Sequence, residues 1–193
     1  MSLTRMKSKI LPGPRTLSGD EMLSHWAYRN FGLLGDSIVA FRGVFRVPPE
    51  SWVDIDSIIH GRDIYQADML HFIVEHFHST IREGALRQYL LVSVLEEKLL
   101  HRMAGAEQRL VRLGEDLFDG ENRLTLTAVG ATPVSIKIHL GIYLESEPKK
   151  EIHGLKAYNI KALDLAELVV DQYRAEMRRL EEKTWRVLPI GGR

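Results

Sequence analysis

The feature that most constrains the fold is a strict alternation of side chains from residue 134 to residue 144. Every second position is apolar: Val134, Ile136, Ile138, Leu140, Ile142 and Leu144. The positions between them carry Ser135, Lys137, His139, Gly141 and Tyr143. Because successive side chains of a strand point to opposite faces of its sheet, this segment predicts a strand with one face in the core. The other face either is solvated or lines a cleft, where Lys137 and His139 would form a cation-and-base pair suited to an anionic ligand.

The remaining apolar patterns predict further strands and three helices. Strands are expected at residues 37–41, 69–77, 110–113, 124–129 and 185–190, where apolar side chains are concentrated. A stripe of leucine and valine at every fourth position predicts a long helix from about Thr80 to Arg102. A second long helix is expected through residues 163–180, and the S-x-x-E spacing at Ser18 predicts a short one that ends near Gly32. The expected fold is α+β, with a mostly antiparallel sheet packed by helices.

Composition and charge limit the classes of protein to which this chain can belong. Residues 1–17 carry two prolines and no periodic pattern, so we expect a flexible arm ahead of a single domain over residues 18–193. The 26 basic and 26 acidic residues balance, which argues against a nucleic-acid-binding protein because such proteins carry a basic excess. No apolar run reaches the roughly 18 residues of a membrane span, and the sequence has no cysteine for thiolate chemistry. We therefore expect a soluble cytoplasmic protein, compatible with a homodimer, whose residues specify no cofactor.

Histidine is the richest source of candidate site residues, with eight in the chain. On a strand, His76 and His78 would project to one face of the sheet. His71 and Glu75 would then project to the other face. At most two ligands converge from this segment, so a zinc site would need a further ligand, for which His139 is the candidate. The alternative is a set of ordinary hydrogen-bonded histidines at a polar strand end.

Two further groups of residues invite a functional interpretation. Asp36 and Ser37 could form an acid beside a nucleophile, but a local turn at the start of a strand explains the pair more simply. Five arginines could each bind a phosphate or a carboxylate with two hydrogen bonds: Arg29, Arg42, Arg62, Arg112 and Arg123. Only convergence in space would distinguish such a site from a solvated surface.

Four segments together form a specific pattern: SHWAYRNFG at 24–32, GDSIVAF at 35–41, MLHFIVEHF at 69–77 and PVSIKIHLG at 133–141. Through them the sequence resembles an uncharacterised prokaryotic family catalogued as domain of unknown function 366. The resemblance covers nearly the whole chain after residue 17. It implies no known activity.

The order of the predicted elements also resembles the catalytic domain of lipoate and biotin protein ligases, which is related to the class II aminoacyl-tRNA synthetase core. In those domains an R-x-x-D-L element precedes a hairpin with a catalytic lysine, and an H-G-x-L-like strand follows. The corresponding segments here are residues 112–117, residues 123–127 and residues 139–144. The resemblance implies a ligase-like fold with a cleft for a small-molecule ligand.

The resemblance also implies roles for individual residues. Arg62 and Arg123 would hold an anion, and Asp116 would hold a metal-bound phosphate or a ribose. His139 or Lys137 would serve as acid or base. The candidate set is therefore Arg123, His139 and Lys137 for catalysis, Arg62, Arg112, Asp116 and Asp36 for ligand binding, and His76 and His78 for a metal.

Two departures from the ligase pattern concern the chemistry. Ligases close a glycine-rich loop over the acyl-adenylate, and the corresponding residues 60–66 hold one glycine. Arg123 replaces the lysine that holds the activated carboxylate, and arginine presents a planar fork in place of a compact ammonium.

Three hypotheses for the function follow. The first is a divergent acyl ligase or transferase whose cleft binds a carboxylate- or nucleotide-containing small molecule. The second is a non-catalytic binding module on the same fold. The third is a metal-dependent hydrolase that uses His71, His76, His78 and His139.

Overall fold

A five-stranded sheet forms the centre of the structure, a computed structural model that describes residues 6–51, 55, 66–103, 110–188 and 190–191. The strands in this part of the chain are β1 (Lys7–Ile10), β2 (Ser37–Val44), β3 (Asp68–Phe77), β4 (Leu110–Leu113), β5 (Asp116–Asp119), β6 (Asn122–Arg123), β7 (Thr125–Ala131) and β8 (Ser135–Tyr143). The α-helices described are α1 (Trp26–Phe31), α2 (Ile81–Leu100) and α3 (Ala162–Arg186). Single turns of 3-10 helix lie at Asp20–Met22, Pro49–Ser51, Pro148–Lys150 and Leu155–Tyr158.

The central sheet has the strand order β1-β2-β3-β8-β7, and β4, β5 and β6 form a separate antiparallel sheet. β1 runs parallel to β2, whereas the other neighbouring pairs of the central sheet are antiparallel. The predicted α+β class with a mostly antiparallel sheet is therefore confirmed. The strands predicted at 69–77, 110–113, 124–129 and 134–144 are observed, with ends that differ by one or two residues.

Helices α2 and α3 pack against one face of the central sheet, here called the α2–α3 face. Alternate side chains of β2, β3 and β8 meet these helices in the larger core: Ile38, Ala40, Leu70, Phe72, Val74, Ile138, Leu140 and Ile142. Thr80 begins α2 with a capping box, in which Thr80 Oγ1 accepts from the Glu83 N–H and the Glu83 carboxylate accepts from the Thr80 N–H. Gly84 lets α2 approach β8, because a Cβ at this position would lie 2.3 Å from Ile136 Cγ2.

The opposite face of the central sheet is covered by α1 and the residues before it, and it is here called the α1 face. A second apolar cluster fills this side: Leu17, Trp26, Ala27, Val39, Phe41, Phe45, Met69, Ile73, Leu126, Tyr143 and Ile152. Glu21 accepts from the Ser18 N–H, as the S-x-x-E spacing predicts, but only a 3-10 turn follows before α1. α1 ends at Gly32, whose φ of 69 supplies the left-handed residue that stops a helix.

Residues 6–17 are not a flexible arm, which corrects the prediction for this part of residues 1–17. β1 pairs with β2 along its whole length, and the Leu17 N–H donates to the Val44 carbonyl. Without β1, β2 would be an edge strand with unpaired backbone groups. Gly43 makes room for the segment, because a Cβ at this position would lie 1.8 Å from the Arg15 carbonyl oxygen.

The strand predicted over residues 185–190 is wrong. α3 continues to Arg186, and Val187 and Leu188 lie outside any strand. Apolar composition favours a strand locally, but a strand also needs a partner edge, which composition does not supply. Although α3 spans 25 residues, neither it nor another helix in the described part of the chain is apolar enough to cross a membrane.

Candidate functional site

The side chains of the α1 face form four rows that cross β2, β3 and β8. The first row is Ser37, Glu75 and Lys137, and the second row is Val39, Ile73 and His139. The third row is Phe41, His71 and Gly141, and the fourth row is Gly43, Met69 and Tyr143. All twelve residues are buried. The polar positions of β8 are therefore enclosed by protein, and each polar group must find a hydrogen-bond partner there.

Glu75 and Lys137 form a buried ion pair in the first row, with 3.2 Å between Glu75 Oε2 and Lys137 Nζ. Glu75 Oε1 accepts hydrogen bonds from the Ser135 hydroxyl and from the His25 backbone N–H, each at 2.7 Å. Burial lowers the pKa of Lys137, and the charge of Glu75 opposes that shift. The Lys137 ammonium also lies 5.9 Å from the centre of the Trp26 ring. The first row thus holds a cation that is shielded from solvent beside α1.

His25 connects the first row to α1. Its φ of 59 lies in the left-handed region, which non-glycine residues seldom adopt. The backbone N–H of His25 donates to the Glu75 carboxylate, and the His25 ring packs on Phe77 with 5.0 Å between ring centres. The same buried carboxylate therefore anchors both Lys137 and the start of α1.

His71 and His139 form a hydrogen-bonded pair in the middle of the α1 face, with 3.1 Å between His71 Nδ1 and His139 Nε2. His71 Nε2 lies 2.9 Å from the Gly43 carbonyl, which can only accept, so Nε2 carries the proton. His71 Nδ1 must then accept from His139 Nε2–H, which leaves His139 Nδ1 as a proton acceptor. Burial lowers the pKa of His71 to about 4 and holds the pKa of His139 well below its ordinary value. Both rings are therefore neutral at pH 7.

Gly141 explains how the two rings reach each other from different rows. A Cβ on Gly141 would lie 2.8 Å from Met69 Cε and 3.3 Å from two ring atoms of His139. The His139 imidazole therefore lies over the glycine, in the space next to His71, which is the register partner of Gly141. The H-x-G spacing on β8 thus has a steric reason.

Arg123 and Asp116 form an ion pair whose charges act on Tyr143, in the row of the α1 face that lies farthest from Lys137. Arg123 Nε also donates to the Thr125 carbonyl at 2.7 Å, and Thr125 Oγ1 donates to Asp116 Oδ1 at 3.0 Å. Burial raises the pKa of Asp116, and the charge of Arg123 opposes that shift. The Arg123 side chain remains 23% exposed, whereas Asp116 is buried.

Asp36 and Ser37 are adjacent in sequence, but their side chains have different neighbours. Ser37 lies in the first row of the α1 face, whereas Asp36 accepts from the Phe77 N–H and contacts His76 Nδ1 at 2.8 Å. Although burial acts to raise the pKa of Asp36, the hydrogen bond to His76 holds it below its ordinary value. His76 Nε2 lies 2.9 Å from the Tyr173 hydroxyl, so Asp36 and His76 connect the sheet to α3.

The four histidines of the hydrolase hypothesis are also divided. His71 and His139 lie on the α1 face, His76 lies on the α2–α3 face, and His78 follows β3 as an exposed residue. Within the residues that the structure describes, no three histidine, aspartate or glutamate side chains are placed to hold a metal ion. The structure does not bring His76 and His78 together with a third ligand.

Among the candidate anion-binding arginines, Arg112 and Arg42 have partners away from Arg123. Arg112 donates to the Ser93 hydroxyl of α2 at 2.6 Å, and Arg42 pairs with Asp68 at 3.3 Å. Arg62 and the stretch corresponding to the glycine-rich loop lie outside the described residues, apart from the last position of that stretch.

Sequence reasoning missed the pairing of Glu75 with Lys137. Each is a charged side chain inside an otherwise apolar strand, and opposite charges on neighbouring strands stabilise each other. That signal was present, but it did not specify which strands are neighbours. No sequence pattern indicated that the His25 N–H and the Ser135 hydroxyl donate to Glu75.

Solved lipoate and biotin protein ligases have the same fold as this chain, with TM-scores of 0.53–0.59 at 10–13% identity. One example is the biotin protein ligase from Aquifex aeolicus in complex with biotin and ATP. Its TM-score is 0.55 at 13% identity, and the match covers 94% of this chain and 73% of that chain. The likeness defines the class of fold, a ligase-like α+β domain, and confirms the fold that the order of elements implied.

The chain belongs to the family described as Domain of unknown function (DUF366), whose model matches residues 6–188. The uncharacterized protein MJ0805 of Methanocaldococcus jannaschii is 31% identical over 182 residues, which cover 90% of this chain and 80% of that protein. A solved protein of unknown function from Pyrococcus horikoshi has a TM-score of 0.86 at 32% identity. The match covers 96% of this chain and 99% of that chain. The family resemblance found in the sequence is therefore confirmed.

Proposed function

We propose that this protein binds a small molecule with a carboxylate or a phosphate along β8 on the α1 face, and acts on it as a divergent acyl ligase or transferase. The observation that carries the proposal is the series of buried polar side chains on one face of β8, from Lys137 through His139 to Tyr143. A face that served packing alone would hold apolar side chains, because every buried polar group must replace its lost hydration.

The length of this series suits an elongated ligand. Lys137 and Tyr143 are six residues apart, which corresponds to about 20 Å along an antiparallel strand. The Aquifex neighbour is in complex with biotin, a carboxylic acid, and with ATP. Those two compounds define the ligand chemistry that we propose for this fold here.

Arg123 is proposed to bind the anionic group at the entry to the site. Its partly exposed side chain carries a positive charge at that end, and Trp26 of α1 lies against Lys137 at the other end. A fixed donor aimed at charge that develops at a phosphate or acyl group is worth about 3 to 4 kcal/mol in measured enzymes. Asp116 orients Arg123 in the protein described here and would take a metal-bound phosphate or a ribose hydroxyl in the complex.

His139 is proposed to act as the acid or base. Its Nε2–H donates to His71, and His71 in turn is fixed by the Gly43 carbonyl. This arrangement leaves His139 Nδ1 with its lone pair in the neutral ring. Lys137, at the far end of the series, supplies positive charge.

Thermal melting with ATP and Mg²⁺, alone and together with lipoate, biotin or octanoate, tests the proposal. A ligand at a hundred times its dissociation constant stabilises by about 2.7 kcal/mol, which corresponds to several degrees for a domain of this size. We expect Arg123→Gln to abolish the shift, and the matched control Arg112→Gln, which changes an arginine on the α2 side, to keep it. No shift with any of these compounds, or equal shifts in both variants, would contradict the proposal.

A non-catalytic binding module is the second candidate, because Asp116 already engages the cation that replaces the ligase lysine. Pyrophosphate release in a single turnover separates the two functions. Release that depends on the carboxylic acid supports an acyl ligase. Binding without release supports the module.

A further inference from the structure

We propose that the end of the ligand next to Lys137 carries a hydrogen-bond acceptor, with a carboxylate as the best fit, in place of an aliphatic tail. The inference rests on the proposed function, since it specifies the class of ligand that the α1 face takes. It predicts a preference for molecules that are polar at both ends. The evidence is a group of buried donors in and beside the first row.

Two of these donors have no hydrogen-bond partner within the described part of the chain, the indole N–H of Trp26 and the hydroxyl of Ser37. Trp26 is 3% exposed and Ser37 is 1% exposed. Ser37 is the register partner of Glu75, which is the register partner of Lys137, and the Trp26 ring lies 5.9 Å from Lys137 Nζ. The Trp26 ring therefore lies beside this ammonium, and Ser37 lies in the same row on the other side of Glu75.

The neighbouring carboxylates are already engaged. Glu75 accepts from Lys137, from Ser135 and from the His25 N–H. Glu21, a second buried carboxylate whose charge acts on Lys137, accepts from backbone N–H groups at Ser18 and Gly19 and pairs with Arg15 at 3.5 Å.

The Trp26 N–H and the Ser37 hydroxyl are therefore left without an acceptor in the described part of the chain. Lys137 has three N–H donors and gives one to Glu75, and a tryptophan N–H can only donate. A carboxylate group accepts without adding a proton of its own, whereas a water brings two protons that need acceptors. An aliphatic tail would leave the Trp26 N–H and the Ser37 hydroxyl unpaired.

Matched pairs of acids test this preference: octanoate against octanedioate, and dodecanoate against dodecanedioate. The members of each pair differ only in whether the far end is a methyl or a carboxylate, and the two lengths vary the reach. We expect the dioate of at least one pair to bind about tenfold or more tightly than the monoacid, measured by titration calorimetry. The indole N–H resonance of Trp26, identified by its loss in Trp26→Phe, should shift with the dioate.

Trp26→Phe and Ser37→Ala each remove one donor. Because the Ser37 hydroxyl has no partner within the described part of the chain, the free energy of unfolding of Ser37→Ala without ligand should stay equal or rise. Trp26→Phe also removes part of a buried ring, so it is compared by its ligand binding alone. The preference for the dioate should fall about tenfold in each variant, while the matched control Ser93→Ala on α2 keeps it. A polar atom that served the fold alone would show the opposite, with lost stability and unchanged binding.

The outcomes separate this inference from the proposed function. If both members of each pair bind equally, or the Trp26 resonance does not move, the polar-end inference is overturned while the ligase-like function stands. If ATP shifts the melting temperature but no acid of either kind binds, the inference is overturned and nucleotide binding remains. If neither nucleotide nor acid binds, both fail.

Discussion

The two faces of the central sheet are built from the same strands, yet different forces stabilise them. On the α2–α3 face, β2, β3 and β8 present mainly apolar side chains, with the buried His76 as an exception, and two long helices cover them. On the α1 face, the intervening positions include an ion pair and two histidines, which are buried just as completely. Burial therefore does not identify the apolar face, because both faces are withdrawn from solvent.

The difference lies in what each face requires. An apolar face needs the right volume, and moderate changes of shape are tolerated. A buried polar face needs particular partners at particular atoms, because an unpaired charge or donor loses its hydration without compensation. Such specific requirements are what a binding site imposes, which is why we place the proposed site on the α1 face.

Lys137→Ala should give the largest loss of stability. It leaves the Glu75 carboxylate buried without its cation, which costs about 3–5 kcal/mol in comparable cases. The free energy of unfolding from urea titration measures the loss. In the double variant Lys137→Met with Glu75→Leu, no charge remains to be buried, so much of the stability should return. Equal losses in the single and double variants would show that the ion pair is not the cause.

Leu140→Ala probes the other face of the same strand. Leu140 is fully buried against the helices, so its truncation should cost about 3 kcal/mol through lost burial and a cavity. Urea titration gives the loss, and ligand-induced melting shifts should be unchanged. A change in ligand binding of the size seen in α1-face variants would contradict the division between the two faces.

The stability of the α1 face should depend on pH through His71. Its folded-state pKa of about 4 lies below the ordinary 6.5, so folding favours the neutral ring. The contribution of His71 is therefore complete above pH 6.5 and is lost as the pH falls from 6.5 to about 4, by on the order of 3 kcal/mol in total. Unfolding free energies across this range measure the dependence. In His71→Gln, whose amide can still donate to the Gly43 carbonyl, that part of the slope should vanish, and an unchanged slope would argue against the buried neutral pair.

Gly141→Ala should have the smallest effect of the four. The new methyl group would meet Met69 and the His139 ring, and such overpacking costs about 1–3 kcal/mol. The displaced ring should also change the His71–His139 hydrogen bond, which ¹⁵N chemical shifts of the two imidazoles report. Gly120→Ala, at a turn with no atom within 4 Å of the new Cβ, is the control for the substitution itself, apart from its backbone strain at φ 61. Unchanged imidazole shifts in Gly141→Ala would mean that the glycine does not position His139.

Much of the fold could be predicted from local patterns. The alternation over 134–144 and the four-residue spacing in α2 each reflect one face meeting a core, and both elements are observed. β1 escaped prediction because it is an edge strand of four residues, KSKI, with one apolar side chain and none that is buried. The terminal strand failed because strand formation depends on a partner that is distant in sequence.

For the candidate site, the residues could be named but not their partners. His139, Lys137 and Arg123 were identifiable as polar or charged side chains on predicted strands. Their environments depend on which strands are neighbours and on which segment covers the α1 face. The tertiary structure pairs Glu75 with Lys137, His71 with His139 and Asp116 with Arg123 through hydrogen bonds.

The sequence by itself determined the secondary structure of the central strands, the class of fold and the family, because periodicity and short motifs are local properties of the chain. Only the tertiary structure decided that the polar face of β8 is buried, and that a backbone carbonyl at Gly43 fixes the protons of two histidines. Charge, tautomer and pKa depend on distances between atoms that the chain brings together from far apart. The chemistry of the α1 face therefore follows from the fold, even though every group in it is visible in the sequence.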